Sequence, residues 1–540
     1  MRRAIPGSLA VSASLVLTWM SAASLAQAQS GGGLSVGNPE AGSGSADPDK
    51  PAALETEFTL RSEFHAYDNL DLRLLDESSD QSIIDSDDVH NFAYSSISAF
   101  VGYQVNDEVR VNVGLGHNGL WGEDQIGGEA ELSGALAFSN LTILYTPIKS
   151  ENFTLTFSAG RQPFTIGGVP RDYIFDDILD ALVVTADFGA GGALRVLAMD
   201  YFTNHDFPDA AFARYISGRE TIFGLRGDSY TLRSGAIYEN DKIVDGLDVK
   251  AYVFHADIGG GPVGDSGADV SFGGTLGNFS DNDFVNLFGA RLSYTLKPED
   301  SGLELRLFGE FAKSQGIDRK EVVARDVEIS GNAFGAGLEV SFKVTEDFSL
   351  DLAGDFYSFD GPDYASDGLE FERGFVGFKG RRLGGLNLGR YAGWYPAAHT
   401  SSSGVTFSPH DIERASGTQI IHGGLGVTMI GTSLRADLWL LSDTGSTFLD
   451  PNNLDNIDPP FGYSREEFFA ETRLGKGLGT EIDVQLNQQL NKELEAFLVY
   501  GVFLPGEFYE IEINKVAGSA LGSPTPETFW ALTGGVSVTF

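Results

Sequence analysis

The amino-acid sequence predicts an all-β protein, a transmembrane antiparallel β-barrel of about 16–18 strands with short periplasmic turns and long extracellular loops. Three observations support this prediction: segments with alternating apolar and polar residues recur along the chain, short turns and long loops separate them in turn, and glycine and aromatic residues are abundant. The 540 residues include 68 Gly, 39 Phe and 18 Tyr. This composition is typical of barrels with Gly-rich turns and aromatic girdles.

The first residues predict a secretory signal peptide over residues 1–28. Arg2 and Arg3 form a basic start, residues 10–20 are mostly apolar without an acid, and residues 26–28 read Ala-Gln-Ala, a small-x-small cleavage pattern. The apolar stretch is shorter than the roughly 20 residues that a membrane-spanning helix needs. Residues 29–52 are rich in Gly, Ser, Pro and Asp and are expected to form a flexible periplasmic leader, followed by the barrel over 53–540.

Alternation with a period of two residues is the main structural signal. In segment 303–311 apolar residues occupy most of the odd positions, while Glu304, Arg306 and Glu310 occupy even ones. Segment 478–490 alternates in the same way. A wall between lipid and water needs this pattern, because successive side chains of a strand point to opposite faces. Mean hydropathy is accordingly near neutral, as expected when only one face is apolar.

A secreted β-sandwich or propeller is the alternative fold class. Such folds need a dry core, so charges should not recur on the second face of nearly every strand. A sandwich's solvated outer face would explain about half of the charges seen here, whereas a solvated lumen explains them all. No change in composition marks a second domain, and about 490 residues would be large for one soluble domain. The barrel is therefore preferred.

The order of turns and loops predicts the orientation of the barrel. Short polar turns, such as Asn106-Asp107-Glu108 and Thr345-Glu346, join strands closely enough for hairpins. Longer segments rich in Gly, Asp, Pro and Ser lie between these hairpins, as in bacterial outer-membrane barrels. The predicted strands are 54–67, 91–105, 109–118, 132–146, 153–163, 181–189, 193–203, 231–240, 246–257, 282–297, 302–314, 329–344, 347–358, 416–430, 432–442, 478–490, 492–503 and 527–540.

Charge and cysteine content exclude other classes. The formal net charge of −40 argues against nucleic acid as a partner, because nucleic-acid binding needs a cationic track. The chain has no Cys, so disulfides cannot stabilise it and no cysteine can carry a lipid anchor. The expected partners are outer-membrane lipid and small solutes or an anionic polysaccharide.

Two stretches carry a family resemblance. The first contains Gly160-Arg161-Gln162, then Gly167, Arg171-Asp172 and Asp180; the second comprises residues 478–483 and 500–506. Both resemble the outer-membrane alginate-export family, a group of porin-like β-barrels. The resemblance implies an eighteen-stranded conduit, with export of an anionic polysaccharide through a pore lined by Arg and Lys. The last residue, Phe540, resembles the C-terminal signal recognised by the bacterial barrel-assembly machinery.

The candidate selectivity residues are charged side chains that the alternation places in the lumen. They are Arg61, Arg110, Arg195, Arg291, Arg306, Arg435, Glu304, Glu310, Asp437, Glu481 and Asp483. The guanidinium group matches the carboxylates of a sugar acid. The alternative for each arginine is an ion pair with a neighbouring acid, such as Arg306 with Glu304. The predicted lumen holds more acids than bases, whereas a pore that conducts a polyanion is expected to be lined mainly by bases.

Three features leave alternatives open. The alternation puts Arg161 on the lipid side, so we expect it at the rim or in a bulge that turns it inward. In loop 359–415, five basic residues either gate the barrel, attract anionic cargo or lipopolysaccharide phosphates, or lie on an ordinary surface loop: Arg373, Lys379, Arg381, Arg382 and Arg390. The acidic stretches 76–88 and 450–458 suggest calcium ligands, but they lack the spacing of a known calcium loop, and solvated acids are the preferred interpretation.

No catalytic or metal motif is evident. The chain lacks G-x-S-x-G and H-E-x-x-H, and its histidines show no metal-ligand spacing. The sequence therefore predicts a non-enzymatic channel without a cofactor. It passes solutes passively or exports an anionic polysaccharide. A general porin with a mixed-charge lumen and a plugged structural or enzymatic barrel remain alternatives.

Overall fold

The computed structural model describes fourteen segments of the chain, and every structural statement below concerns these residues. They are 54–68, 90–121, 136–169, 172–203, 230–259, 282–299, 301–320, 325–361, 363–364, 370–372, 374–378, 417–445, 476–507 and 528–540. Within them the chain forms one closed antiparallel barrel of eighteen strands. None of the described residues belongs to a helix with the length and apolarity needed to cross a membrane.

Twenty strands follow one another along the described chain. They are β1 (Leu54–Asp68), β2 (His90–Gln104), β3 (Val109–Trp121), β4 (Leu136–Lys149), β5 (Thr154–Thr165), β6 (Asp176–Asp187), β7 (Ala193–Thr203), β8 (Tyr230–Asn240), β9 (Leu247–Gly259), β10 (Asn282–Leu296), β11 (Leu303–Lys320), β12 (Arg325–Thr345), β13 (Phe348–Phe359), β14 (Asp363–Tyr364), β15 (Glu370–Glu372), β16 (Thr418–Met429), β17 (Thr432–Asp443), β18 (Gly477–Gln489), β19 (Leu494–Pro505) and β20 (Phe529–Thr539).

The ring closes between the first and the last strand. Thr59 of β1 pairs with Thr539 of β20, and the antiparallel register continues to Asp68 and Trp530. The short strands β14 and β15 lie outside the ring, because β13 pairs directly with β16. Closure gives every strand of the ring two neighbours, so no row of backbone donors and acceptors is left unpaired in the membrane.

The alternation seen in the sequence sorts side chains to the two faces. On β10 and β11, Leu292 and Leu307 are exposed on the outside, whereas Arg291 and Glu310 are buried on the inside. On β13, Leu352 is exposed outside and Asp355 is buried inside. Residues that pair across two strands point to the same face of the sheet. The inward or outward orientation of one residue therefore fixes that of its partners on the neighbouring strands. The outer surface is an apolar band, and the inner surface carries the polar and charged residues.

Three strand limits lie four to six residues beyond the sequence prediction. β6 begins at Asp176 rather than at residue 181. Asp176 pairs with Thr165 of β5, and the antiparallel register continues without a break to the pair of Asp187 and Thr154. β11 and β12 extend to Lys320 and from Arg325, so most of the predicted loop 315–328 is strand. Polar residues at these ends conceal the pairing in the sequence, because a hairpin outside the membrane needs no apolar face.

The short connections are hairpin turns. The β16–β17 turn has two residues with positive φ, Ile430 at 49° and Gly431 at 75°. Positive φ at both central positions belongs to the turns that match the twist of a two-residue hairpin. Ile430 is a β-branched residue in a region that such residues rarely occupy, and its side chain is largely exposed. The turn therefore carries backbone strain.

Candidate functional site

The connection between β5 and β6 folds into the barrel. Ile166, Tyr173, Ile174 and Phe175 are at most 1 % exposed, although they belong to a loop. The Phe175 ring packs edge-on against Phe254 of β9, with 5.0 Å between ring centroids. We call residues 164–169 and 172–175 the inward segment.

The inward segment reaches a distant part of the ring. The Tyr173 ring meets Tyr357 of β13 at 4.8 Å between centroids and lies edge-on to it. In the eighteen-strand ring, β13 is seven strands away from β6. The inward segment thus occupies the part of the lumen that β6 to β13 enclose.

A second stretch, residues 374–378, also lies inside the barrel. The Val376 N–H donates to the hydroxyl of Ser314 on β11 (2.9 Å). A Cβ on Gly331 of β12 would lie 1.9 Å from the backbone nitrogen of Phe375, so this stretch lies directly against the inner wall. The Phe378 ring is 5.0 Å from Phe175. The second stretch and the inward segment therefore pack against each other.

Asp172 organises the fold of the inward segment. Its Oδ2 accepts hydrogen bonds from the hydroxyl of Thr165 (2.5 Å) and the N–H of Gly167 (2.9 Å). Its Oδ1 accepts one from the N–H of Phe175 (3.2 Å). Gly167 and Gly168 adopt φ values of 64° and 92°, which glycine tolerates and most residues avoid. One carboxylate thus ties both ends of the segment together.

Three of the predicted lumen arginines hold backbone carbonyls of the inward segment. Arg195 of β7 donates to the carbonyl of Thr165 (2.8 Å), and Arg291 of β10 donates to that of Gly167 (3.0 Å). Arg306 of β11 donates to the carbonyl of Gly168 (2.7 Å). These arginines anchor a loop, a role that was not predicted from the sequence.

Arg291 also links the segment to the barrel wall through charge. Its guanidinium lies 2.5 Å from Asp172 and 2.5 Å from Glu310, and the side chains of all three residues are almost completely buried. The hydroxyl of Tyr252 donates to Glu310 (2.9 Å). A buried cation shared by two carboxylates, each with further hydrogen-bond donors, meets the condition under which buried charges are retained.

The pKa of Asp172 reflects these contacts. Burial on its own raises the pKa, but the charge of Arg291 and the hydrogen bonds from Arg291, Thr165 and Gly167 outweigh it. The pKa falls from the ordinary 3.8 to about 2. Asp172 is therefore ionised whenever the inward segment is in place at neutral pH.

A second charged group lies farther along the wall, on β13, β16 and β17. His422 of β16 contacts Asp355 of β13 at 2.8 Å and Asp437 of β17 at 2.7 Å, one through each ring nitrogen. Arg435 donates to both oxygens of Asp437 from Nε and from Nη2. The ring of Trp439 lies beside that of His422, tilted by 38°, with 4.2 Å between the ring centroids.

The other predicted lumen residues also face inward, and those with a described partner form ion pairs. Arg61 pairs with Glu63 and lies 4.3 Å above the ring of Phe497. Arg110 pairs with Glu55. Glu481 and Asp483 of β18 are buried and lie opposite Trp439 and Asp437 of β17, respectively.

One expected pair is not formed. Arg306 contacts Glu339 on the neighbouring strand at 3.5 Å. Glu304 instead pairs with Lys297 at 3.0 Å, and both are largely exposed. Residues two apart on one strand share a face, but a directly opposite residue on the next strand is closer. Cross-strand register decides this pairing.

Arg161 stays on the outer face. It pairs in register with Leu141, an exposed outward residue, and forms an ion pair with Asp180 at 3.3 Å. The inward bulge considered from the sequence is therefore wrong. Of the neighbouring motif residues, Gly160 has a φ of 116° and Gln162 is buried, donating to the carbonyl of Ala181 at 3.1 Å.

Several predicted features lie outside the described residues. They are Arg171, the basic residues Arg373, Lys379, Arg381, Arg382 and Arg390, and the acidic stretches 76–88 and 450–458. In the described part of the chain, no group of three His, Asp or Glu side chains is arranged to hold a metal ion.

The aromatic contacts of the inward segment and the contacts of His422 with two acids were not predicted from the sequence. The apolar run Tyr173-Ile174-Phe175 inside a predicted loop was a usable signal, because a solvated loop has no need of three consecutive large apolar residues. His422 offered no such signal, since its partners come from two other strands.

Comparisons with known proteins find similarity in structure only. No family model matches the chain. No curated protein matches it in sequence. Three solved structures with similar folds are OccAB2 from Acinetobacter baumannii, OprD from Pseudomonas aeruginosa and Wzi from Escherichia coli, the last described as a carbohydrate-binding β-barrel involved in capsule assembly.

These similarities are remote. OccAB2 is 9% identical, with 90% of this chain and 98% of that chain covered and a TM-score of 0.46. OprD is 11% identical, with 90% and 94% covered and a TM-score of 0.45. Wzi is 10% identical, with 89% and 84% covered and a TM-score of 0.42. Such values assign no function to this chain.

The architecture itself indicates the location. A closed antiparallel ladder with an apolar outer band and a polar interior is the form in which β-structure spans a membrane. Single-chain barrels of this kind with an even number of strands belong to the bacterial outer membrane. The chain is therefore a porin-like barrel of that membrane.

Proposed function

We propose that this barrel is a passive channel for small solutes, with a preference for cations over anions. Barrels of 16–18 strands are wide enough to leave an aqueous channel. The inward segment reduces the free cross-section on one side of the lumen. Passage is then governed by the remaining width and by the charges along the wall.

The charge of the wall is the observation that carries this proposal. On the inner faces of β13, β16–β20 and β1, the described acids outnumber the bases Arg61 and Arg435. These acids are Glu55, Glu57, Glu63, Asp351, Asp355, Asp437, Glu481, Asp483 and Glu495. An excess of fixed negative charge concentrates cations in a pore and excludes anions.

The bases on the other side are engaged differently. Arg195, Arg291 and Arg306 donate to backbone carbonyls of the inward segment. A guanidinium held in this way has fewer donors left for a passing carboxylate. This arrangement supports a structural role for these arginines and weakens the case for a polyanion track.

Export of an anionic polysaccharide is the second candidate, and it rests on the resemblance of residues 160–180 and 478–506 to the alginate-export family. It needs bases that face the path of the polymer. A plugged structural or enzymatic barrel is the third candidate, supported only by the aromatic packing inside the lumen.

Reversal potential under a salt gradient across a planar bilayer tests the proposal. We expect the purified, refolded protein to conduct and to prefer K⁺ over Cl⁻. The preference should weaken in Asp483→Asn, which removes a wall charge, and stay unchanged in Asp180→Asn, which alters an outward residue. Anion selectivity with block by a uronate oligomer would replace the proposal with polysaccharide export. Absence of conductance would contradict both channel functions.

A further inference from the structure

We propose that the inward segment and residues 374–378 form one gate, which opens as a unit when either stretch is loosened from the barrel wall. The inward segment connects β5 to β6, whereas residues 374–378 follow β15. Each stretch has its own attachment to the wall, and contacts between the stretches couple their movement. The proposal rests on the proposed channel function, since it identifies the part of the molecule that sets the width of the passage.

The contact surface between the two stretches is apolar and closely packed. The Phe378 ring lies 5.0 Å from that of Phe175, with 73° between the ring planes. A Cβ on Gly377 would lie 3.9 Å from the Cα of Ile174, so the two backbones are in contact. Ile174, Phe175 and Phe378 are each at most 1 % exposed. Separation of the stretches would expose these apolar faces to water, which costs free energy.

Two rings of the wall contact both stretches. Phe359, the last residue of β13, lies 6.1 Å from the ring of Tyr173 and 5.8 Å from that of Phe375. Phe254 of β9 also contacts one ring of each stretch, at 5.0 and 5.7 Å between centroids. If one stretch leaves, these wall rings lose packing partners on one side, and the other stretch loses part of its support.

The attachments to the wall are separate. Three wall arginines, Arg291 among them, hold backbone carbonyls of the inward segment. Residues 374–378 are attached at β11, where the Val376 N–H donates to the hydroxyl of Ser314 (2.9 Å). In the described part of the chain, Arg291 forms no hydrogen bond, ion pair or ring contact with residues 374–378. A change at Arg291 therefore reaches that stretch through the packing between the two stretches.

The coupling must act in both directions. A contact that stabilises the closed position of one stretch stabilises that of the other by the same factor, because coupling free energies are reciprocal. Closely packed interfaces also tend to be either formed or lost, with little in between. The gate should therefore have a closed and an open state, and loosening of either attachment should populate the same open state.

Amide hydrogen exchange, read by mass spectrometry on the refolded full chain, tests the coupling without any conductance. In Arg291→Gln, exchange at residues 374–378 should be faster by about 5- to 150-fold, the usual range for coupled sites. Arg110→Gln is the matched control and should leave this exchange unchanged. If Arg291→Gln does not refold, Ser314→Ala should speed exchange at residues 172–175 instead. Faster exchange confined to the stretch whose own attachment was changed would overturn the proposal.

Single-channel recordings test the gate itself. Arg291→Gln, Ser314→Ala and the double variant should share one open conductance level and differ in the time spent there. Ser139→Ala, which removes a buried hydroxyl on β4, is the control and should behave as the wild type. Separate levels in the two single variants that add up in the double variant would show two independent gates and refute the proposal. A silent bilayer would refute the proposed channel function, and hydrogen exchange would still decide the coupling.

Discussion

The guanidinium of Arg291 lies 2.5 Å from the carboxylate of Asp172, although 119 residues separate them in the chain. Arg291 belongs to the barrel wall, and Asp172 belongs to the segment that folds into the lumen. The contact therefore joins the wall to the loop. Because both groups are buried, its strength depends on the match between charges and not on the salt of the medium.

Removal of the wall charge should release the inward segment. In Arg291→Gln, Asp172 and Glu310 remain buried without their common cation, a change that typically costs about 3–5 kcal/mol. We expect a larger and noisier single-channel conductance and a lower urea midpoint of unfolding. Arg110→Gln is the control, because Arg110 pairs with Glu55 and makes no described contact with the inward segment. Equal conductance in both variants would show that the segment does not depend on Arg291.

The pKa of Asp172 predicts how the channel responds to acid. The ordinary pKa of an aspartate is 3.8, and the pKa of Asp172 in the folded protein is about 2. Because the folded value is the lower one, the stabilisation of about 2.5 kcal/mol is complete above about pH 4. It is lost as the pH falls toward 2.

Conductance recorded from pH 7 down to pH 2 checks this prediction. The stabilisation that Asp172 gives to the inward segment should be constant between pH 7 and pH 4, and so should its effect on the conductance. Both should decline only below pH 4. Asp172→Asn should lack this acid-dependent change and show the released state throughout. A change centred near pH 6 in the wild type that disappears in Asp172→Asn would contradict the assigned pKa.

Gly331 should be needed for the second inward stretch. A methyl group there would lie 1.9 Å from the nitrogen of Phe375, so in Gly331→Ala residues 374–378 must move away from the wall. We expect a loss of about 1–3 kcal/mol, as for overpacked interiors, and an altered conductance. The control is Gly423→Ala, where nothing lies within 4 Å of the added atom. A similar stability of both variants would show that the stretch tolerates displacement.

Relief of strain at Ile430 should stabilise the barrel. Ile430 has a φ of 49°, and the left-handed region costs an ordinary L-residue about 1–2 kcal/mol. Asparagine tolerates this region, so Ile430→Asn should raise the free energy of unfolding by about 1 kcal/mol. Urea unfolding of the refolded protein measures it. Ile243→Asn makes the same exchange in an exposed turn residue without positive φ and should bring no gain.

The strands were largely predictable from the sequence. Alternation of side chains along Leu303 to Phe311 depends only on the chain itself, so it marks the strand and assigns each residue to a face. The prediction of about 16–18 strands includes the observed ring of eighteen. The start of β6 and the ends of β11 and β12 were missed, because polar residues continue a paired strand as readily as they form a loop.

The candidate site was predictable only in part. The sequence places Arg195, Arg291 and Arg306 in the lumen, and the structure has them there. It does not show that each donates to a carbonyl of residues 165–168. Neither does it show that Glu304 pairs with Lys297 rather than Arg306. Such contacts depend on register and on loop conformation.

The sequence by itself determined that this chain forms strands with one apolar and one charged face, and hence a barrel rather than a soluble domain. The physical reason is local: the period of two belongs to the extended backbone. Only the tertiary structure decided that the β5–β6 connection folds inward and that Asp172 meets Arg291. It likewise decided that His422 lies between two acids. These relationships arise when closure of the ring brings distant strands together, and no spacing along the chain encodes them.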